Sequence, residues 1–221
     1  MSEIVTTYKI NDPDEALPME RDKFYSGQIA KFKKTGKPTK AVGIVDIILF
    51  NGEGEVYIQK RSNTKAHNPG LLDKSIGGHL QYGDTAEYTV MVETVQELQV
   101  PSINLLTEKD FVKTLILLKE YLITVAVTKH IDTKLFILPK DISDEKINIA
   151  NMVHLFFGIY KGAIKTVDRE SKGTLLYSLD ELEQEIAETP EIFTEDLRFF
   201  VKEYKPQIKK FIKNIQDIIN A

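Results

Sequence analysis

Residues 77–100 read GGHLQYGDTAEYTVMVETVQELQV. Thr85–Leu98 is expected to be a helix: Asp84 or Thr85 can cap its start, and Pro101 follows its end. Val92, Val95 and Leu98, with Tyr88 and Met91, are expected to form its apolar face. Glu93 and Glu97 are four residues apart, so at about 100° per residue they project roughly 40° from one another. Two carboxylates stacked in this way repel, which leaves two readings. One is a solvated surface pair. The other is a site for a hard cation, because Mg²⁺ takes carboxylate oxygens and bridges them to phosphates. Gln96 lies on the same side and offers only a neutral carbonyl oxygen.

Upstream, residues 41–50 (AVGIVDIILF) are almost unbroken apolar sequence, as in a buried strand. Asn51-Gly52-Glu53-Gly54 is a hairpin signal, and residues 55–61 (EVYIQKR) alternate as the return strand. Ser62–Gly70 reads as a polar loop, and Leu71–Leu80 as a shorter extended piece. Further back, Ile4–Ile10 reads as a strand broken by Asp12-Pro13-Asp14, and Met19–Lys34 as a capping helix ended at Thr35-Gly36-Lys37-Pro38.

Downstream, Phe111–Val127 is apolar and β-branched and reads with Leu135–Leu138 as two or more strands. Asp141–Ala150 reads as a polar excursion, Met152–Tyr160 as a strand, residues 161–173 as a loop and Leu175–Tyr177 as a short strand. Leu179–Glu188 reads as a helix capped by Ser178. Another helix starts at Thr194, and Pro206 should kink or divide it before an amphipathic tail running from Ile208 to Ile219. The expected division is an extension over 1–40, a domain over 41–204 and a terminal amphipathic helix over 205–221.

Composition narrows the functions. The 221 residues are 42% apolar and carry 29 Lys+Arg against 33 Asp+Glu, a net charge of −4. That builds a core and leaves no basic footprint for dedicated nucleic-acid binding. With no cysteine, a disulfide scaffold, a thiolate zinc site and a Cys nucleophile are excluded. No apolar run approaches the roughly 20 residues that span a bilayer, and the first 30 residues lack an apolar signal segment. The expectation is a soluble cytoplasmic protein with no membrane partner.

The stretch resembles a Nudix box, G-x5-E-x7-R-E-U-x-E-E-x-G-U, where U is aliphatic. With Gly78 as the first Gly, Asp84 falls at the first acidic position, Glu93 at the Glu of R-E, Glu97 at the last Glu and Val100 at the final aliphatic position. The box is degenerate: Val92 replaces Arg, Thr94 an aliphatic residue, Gln96 the first Glu of the E-E pair, and Gln99 the late Gly. The flanks strengthen the resemblance. Residues 59–79 (QKRSNTKAHNPGLLDKSIGGH) and 190–204 (PEIFTEDLRFFVKEY) resemble the isopentenyl-diphosphate-isomerase-like branch, and residues 177–186 (YSLDELEQEI) the segment that closes many Nudix domains. The resemblance implies an α/β fold: a Nudix-type α/β/α sandwich with a mixed sheet, here with N- and C-terminal helical extensions.

It also implies chemistry. Glu93 and Glu97 would be the Mg²⁺ or Mn²⁺ ligands and the catalytic pair, with Gln96 facing the metal uncharged and Gly78, His79 and Asp84 supporting the loop. Arg61 and Lys65 would meet phosphate oxygens of a small-molecule diphosphate substrate. Asp73 and Lys74 can pair with each other, and Glu120, His154 and Glu170 are candidates for an extra acid or ligand. Residues 1–40 and 128–150 are candidates for substrate selection or for a homodimer contact. Isopentenyl diphosphate isomerase itself is rejected: its catalytic Cys falls at Gly77, and no His precedes His67. Two readings stay open: a divalent-metal-dependent diphosphohydrolase, and a weak or inactive binding protein of the same fold.

Overall fold

The chain begins with a hairpin, β1 (Ile4–Lys9) and β2 (Asp12–Glu20), and helix α1 (Arg21–Thr35). Strands β3 (Lys40–Phe50) and β4 (Val56–Arg61), the short β5 (Leu72–Asp73) and β6 (Ile76–His79), and helix α2 (Ala86–Leu98) follow. Next come β7 (Ser102–Leu105), α3 (Glu108–Leu118), and the long strands β8 (Ala126–Ile142) and β9 (Glu145–Ile159). Last are β10 (Ser171–Tyr177), α4 (Leu179–Glu188), α5 (Glu195–Glu203) and α6 (Lys205–Ile219). The computed structural model describes residues 3–142, 145–164 and 171–221.

The strands form one mixed sheet with the path β10-β4-β3-β9-β8-β7. Strand β3 is buried from Ala41 to Phe50, as its apolar run requires. One edge runs parallel to β9, from Ala41↔Ala150 to Phe50↔Ile159. The other edge is shared: β1 takes Lys40–Val42, β6 takes Ile44–Ile47, and β4 pairs only at Phe50↔Val56. The hairpin therefore forks just past its turn. Asn51 holds that turn, its Oδ1 accepting from Glu53 N and Glu55 N, and Gly54 takes the φ of 83° that the turn needs. At the fork, Ser75 Oγ accepts from Leu49 N (2.8 Å) and donates to Tyr57 O (2.6 Å). One hydroxyl stands where a direct bond between the two strands would otherwise lie.

Alternation along β3 divides the core between the sheet faces. Val45, Ile47 and Leu49 pack with Ala86, Val90 and Leu98 of α2. Ile44, Ile48 and Phe50 belong to a larger cluster with Phe24 and Tyr25 of α1, Leu197 and Phe200 of α5, and Ile208, Phe211 and Ile215 of α6. The two faces are thus covered by α2 and by α1, α5 and α6, the expected α/β/α layering.

The capping and breaking signals hold. Thr85 caps α2, Ser178 and Glu181 form a capping box on α4, and the chain divides at Tyr204, with Pro206 in the first turn of α6. Four expectations are corrected. Phe111–Val127 begins as helix α3, not strand; Phe111 and Leu115 are its buried anchors, and exposed Ile116 and Leu117 hide the helical period. Asp141–Ala150 is the tip region of one long β8–β9 hairpin, paired through Ile142↔Glu145. Asp12–Asp14 starts β2, which pairs only with β1, so Pro13 and Pro18 are tolerated on an edge. Helix α2 is also turned from the expected face: Ala86, Thr89, Val90, Thr94 and Leu98 are buried, while Tyr88, Met91 and Val95 are exposed. Small Ala and Thr side chains let the helix sit close to the sheet, and Thr94 Oγ1 donates to Met91 O and meets Ser102 Oγ at 3.0 Å. In the segment read as a loop over 161–173, residues 165–170 lie outside the described residues; Glu170 is among them.

Candidate active site

The fork between β3 and β4 opens into a cleft of about 440 Å³ that reaches both sheet faces. On one wall α2 presents Glu93, Gln96 and Glu97. Glu97 is buried, and Gln59 Nε2 on β4 donates to its Oε2 at 2.8 Å, which fixes the carboxylate. Glu93 lies against β6, which carries Gly78 and His79 where the sequence reading expected a loop: a Cβ on Gly78 would fall onto its carboxylate. The glycine at this position is thus a cradle for an acid side chain.

The opposite wall is charged in a way the sequence reading captured only at Asp73 and Lys74. Buried Lys74 Nζ sits 3.1 Å from Asp46 Oδ1, 3.4 Å from Asp73 Oδ1 and 3.7 Å from Asp196 Oδ2. Asp73 also takes Arg61 Nη1 at 3.0 Å and Thr194 Oγ1 at 2.7 Å. Lys140 Nζ lies 3.6 Å from Asp196 Oδ2. Burial opposes every one of these charges. For Asp73, Lys74 and Arg61 outweigh it and hold the carboxyl below its usual range; for Lys74, the three acids outweigh it and hold the ammonium's pKa above its own. Asp46 loses this contest. Burial pushes it up to about 7 against the pull of Lys74, with Asp196 and Asp73 adding repulsion. Its Oδ2 is buried without a hydrogen-bond partner among the described residues.

The remaining candidates fall into place around this. Arg61 lines the cleft, but its donors go to Asp73, Asn68 O and His67 O. Lys65 lines it as well. His79 meets the Tyr25 hydroxyl through Nε2 at 2.8 Å, and burial, reinforced by Arg21 and Lys140, pushes it down to about 3. His67 packs on the Tyr25 ring at 4.5 Å between centroids and is pushed down to about 4, first by burial and then by Lys140, Arg61, Arg21 and Lys65. Both imidazoles are neutral at pH 7. Asp84 is exposed and outside the cleft lining; Gln81 O accepts from its backbone N–H in the turn before α2. Glu120 and His154 are also outside the lining.

Sequence reading missed Asp46, Lys140, Asp196, Arg21 and Tyr25, all cleft residues. A signal existed for Asp46, the one charge in an apolar strand, since a charge in such a strand needs a buried partner. The others carried no local signal.

Among the described residues no group of three or more His, Asp and Glu could hold a metal ion. The donor set on α2 is two carboxylates and one amide, all oxygen, with the bare Gly78 making room for Glu93. That fits Mg²⁺ or Mn²⁺, which bind through one or two carboxylates while keeping waters and sharing substrate phosphates. It does not suit zinc, for which thiolates are absent.

The fold is a mixed sheet between two helical layers, with glutamates of one helix facing a glycine of strand β6. Residues 40–197 match the NUDIX domain family, and the chain belongs to it. A Deinococcus radiodurans protein described as a Nudix hydrolase is 36% identical over 89 residues, 39% of this chain and 51% of that protein. The chain thus spans about half the length of the curated relative it matches. Two solved structures share the fold. DR0079 from Deinococcus radiodurans has a TM-score of 0.59 at 18% identity, covering 90% of this chain and 98% of that one. The MutT protein of Methanosarcina mazei Go1 has a TM-score of 0.50 at 15% identity, covering 76% and 96%. Among the described residues no helix is long and apolar enough to cross a membrane.

Proposed function

We propose that the chain is a divalent-metal-dependent hydrolase of a diphosphate linkage in a nucleoside diphosphate derivative or related small molecule. The observation that carries this is the placement of Glu93 and Glu97 on the cleft wall, one cradled by Gly78 and the other held by Gln59. A cation bound by Glu93 and Glu97, with Gln96 beside them, would neutralise diphosphate oxygens and act as a Lewis acid. Gln59 orients one carboxylate, and Gly78 admits the other. The loss of a third acid at Gln96 and of an Arg at Val92 makes this a low-affinity site.

The flanking sequences support a place in the isopentenyl-diphosphate-isomerase-like branch, but isomerase activity has no proton-transfer group at Gly77. A Cβ there would lie 2.8 Å from Lys74 Cε and 2.9 Å from Asp46 Oδ1, so the space is already filled by the charged wall. We read the extension over 1–40, the domain over 41–204 and the helix over 205–221 as parts of one body. Phe24, Phe157 and Phe211 share a single core cluster.

The test is formation of the two phosphomonoester products from a panel of nucleoside diphosphate derivatives with Mg²⁺ or Mn²⁺, read as phosphate after a coupled phosphomonoesterase, against Glu97→Gln. Product formation that requires the metal and is lost in the variant supports the reading. Turnover at background across the panel at every metal concentration points instead to a binding protein of the same fold.

A further inference from the structure

The charged wall is not uniform, because its cations differ in how far they are already used. Lys74 is shared by three carboxylates, and Arg61 is spent on Asp73 and two backbone carbonyls. Two others keep unused donors. Arg21, at the start of α1, places Nη1 2.7 Å from Glu3 Oε2, while its Nε and Nη2 make no hydrogen bond among the described residues. Lys140, on β8, makes no hydrogen bond among the described residues; its nearest acid oxygen is Asp196 Oδ2 at 3.6 Å. Both side chains line the cleft on the face covered by α1 and α5, across the sheet from α2.

Glu3 faces Arg21, Asp196 and Asp46 face Lys140, and the aromatic groups beside them carry no negative charge. His67, His79 and Tyr25 line the same part of the cleft, and the two imidazoles are uncharged and under the field of both Arg21 and Lys140. His67 Nδ1 is buried and has no partner among the described residues. Glu3 is held on two sides, by Arg21 and by Gln81 Nε2, and so anchors the guanidinium at the rim. Arg21 also lies ahead of residue 40, where the family match begins, so this feature is additional to the shared domain. A cleft of about 440 Å³ has room for a nucleotide-sized molecule, of which a diphosphate is only one part.

We propose that Arg21 and Lys140 form a second anion-binding subsite, which takes a phosphate-type group carried by the substrate outside its scissile diphosphate. A planar guanidinium with open donors and an ammonium that lines the same cleft suit a dianion better than a sugar or an apolar group. The inference rests on reading the cleft as a diphosphate site, and its test separates the two.

Inorganic phosphate is titrated calorimetrically into the metal-free protein in the presence of a chelator. Saturable binding is expected, weakened about fivefold or more by R21Q and by K140Q and retained by R21K, because a charge-assisted contact is lost in the first two and kept in the third. Arg21 is the more exposed residue, so R21Q decides the outcome if K140Q does not fold. No saturable binding, or equal affinity in R21Q and wild type, overturns the subsite. A second arm adds Mn²⁺ and compares two dinucleotides that differ by one 2′-phosphate. The phosphorylated one should bind about tenfold tighter, with R21Q levelling the two. Equal wild-type affinities would assign the subsite to free phosphate and overturn its role in substrate choice. Absence of turnover on both dinucleotides would count against the hydrolase reading and leave the phosphate titration standing.

Discussion

The two walls of the cleft are built on different principles. The α2 wall is local: its three polar residues lie within five positions of one helix, and the spacing alone sets their common direction. The facing wall draws on β3, β5, β8 and α5, with Asp46 and Asp196 brought together from 150 positions apart. The first wall can change a residue without disturbing the fold, because Gln96 is exposed. The second cannot, because Asp46, Asp73, Lys74 and Asp196 are buried and each depends on the others for its ion pair. One wall can vary its chemistry; the other carries part of the stability of the domain.

Substitutions should divide along that line. The largest effect is expected from Lys74→Met, which leaves three buried carboxylates around an apolar side chain. Removing one partner from a buried ion network costs about 3–5 kcal/mol. Chemical denaturation should therefore show a large loss of stability, and an unchanged midpoint would mean that the wall is not a stability element. Glu97→Gln should do the reverse, lowering metal-dependent turnover about 100-fold or more while moving the unfolding midpoint little.

The pH dependence of stability sharpens the contrast. His67 and His79 are held below the ordinary imidazole value, so their contribution is present above about pH 6.5 and lost on acidification towards 4 and 3. Asp46 is held above the ordinary carboxyl value, so its contribution is present in acid and is lost as pH rises through about 7. Between pH 5 and 6.5 the histidines raise stability with pH and Asp46 opposes them. Asp46→Asn should therefore steepen the rise in Tm over this interval, and an identical slope would show that Asp46 titrates normally. The smallest effect belongs to the variable wall. Gln96→Glu should lower the Mn²⁺ concentration for half-maximal activity about threefold, since a third anion near the cation is attractive but repels its neighbours in the apo protein.

The same contrast explains what could be read in advance. Strand β3, the Asn51–Gly54 turn, the α2 start at Thr85 and the break at Pro206 rest on short-range signals, and each is visible within a few residues. The pairing of Asp73 with Lys74 is a neighbour relation and was legible. That Lys74 also serves Asp46 and Asp196 depends on β3 and α5 arriving at one place, which no local pattern encodes. Helix α3 was obscured for a different reason. Ile116 and Leu117 are apolar but exposed, so hydrophobicity stopped reporting burial. Helix α2 failed in the opposite sense, burying Thr89 and Thr94 while exposing Met91 and Val95.

Ser75 bears on how such a cleft persists at all. Leu49 and Tyr57 follow directly on the Phe50↔Val56 pair, and adjacent strands tend to close like a zip once one pair has formed. The Ser75 hydroxyl takes both of the groups that would make the next tooth, so it acts as a spacer with fixed length. The vertex of the fork is then held by a single oxygen atom, and beyond it β6 on Ile44–Ile47 and β5 on Gln59–Lys60 keep the two strands apart. Taking that oxygen away leaves the Leu49 N–H and the Tyr57 carbonyl without their shared partner at the point where the fork begins.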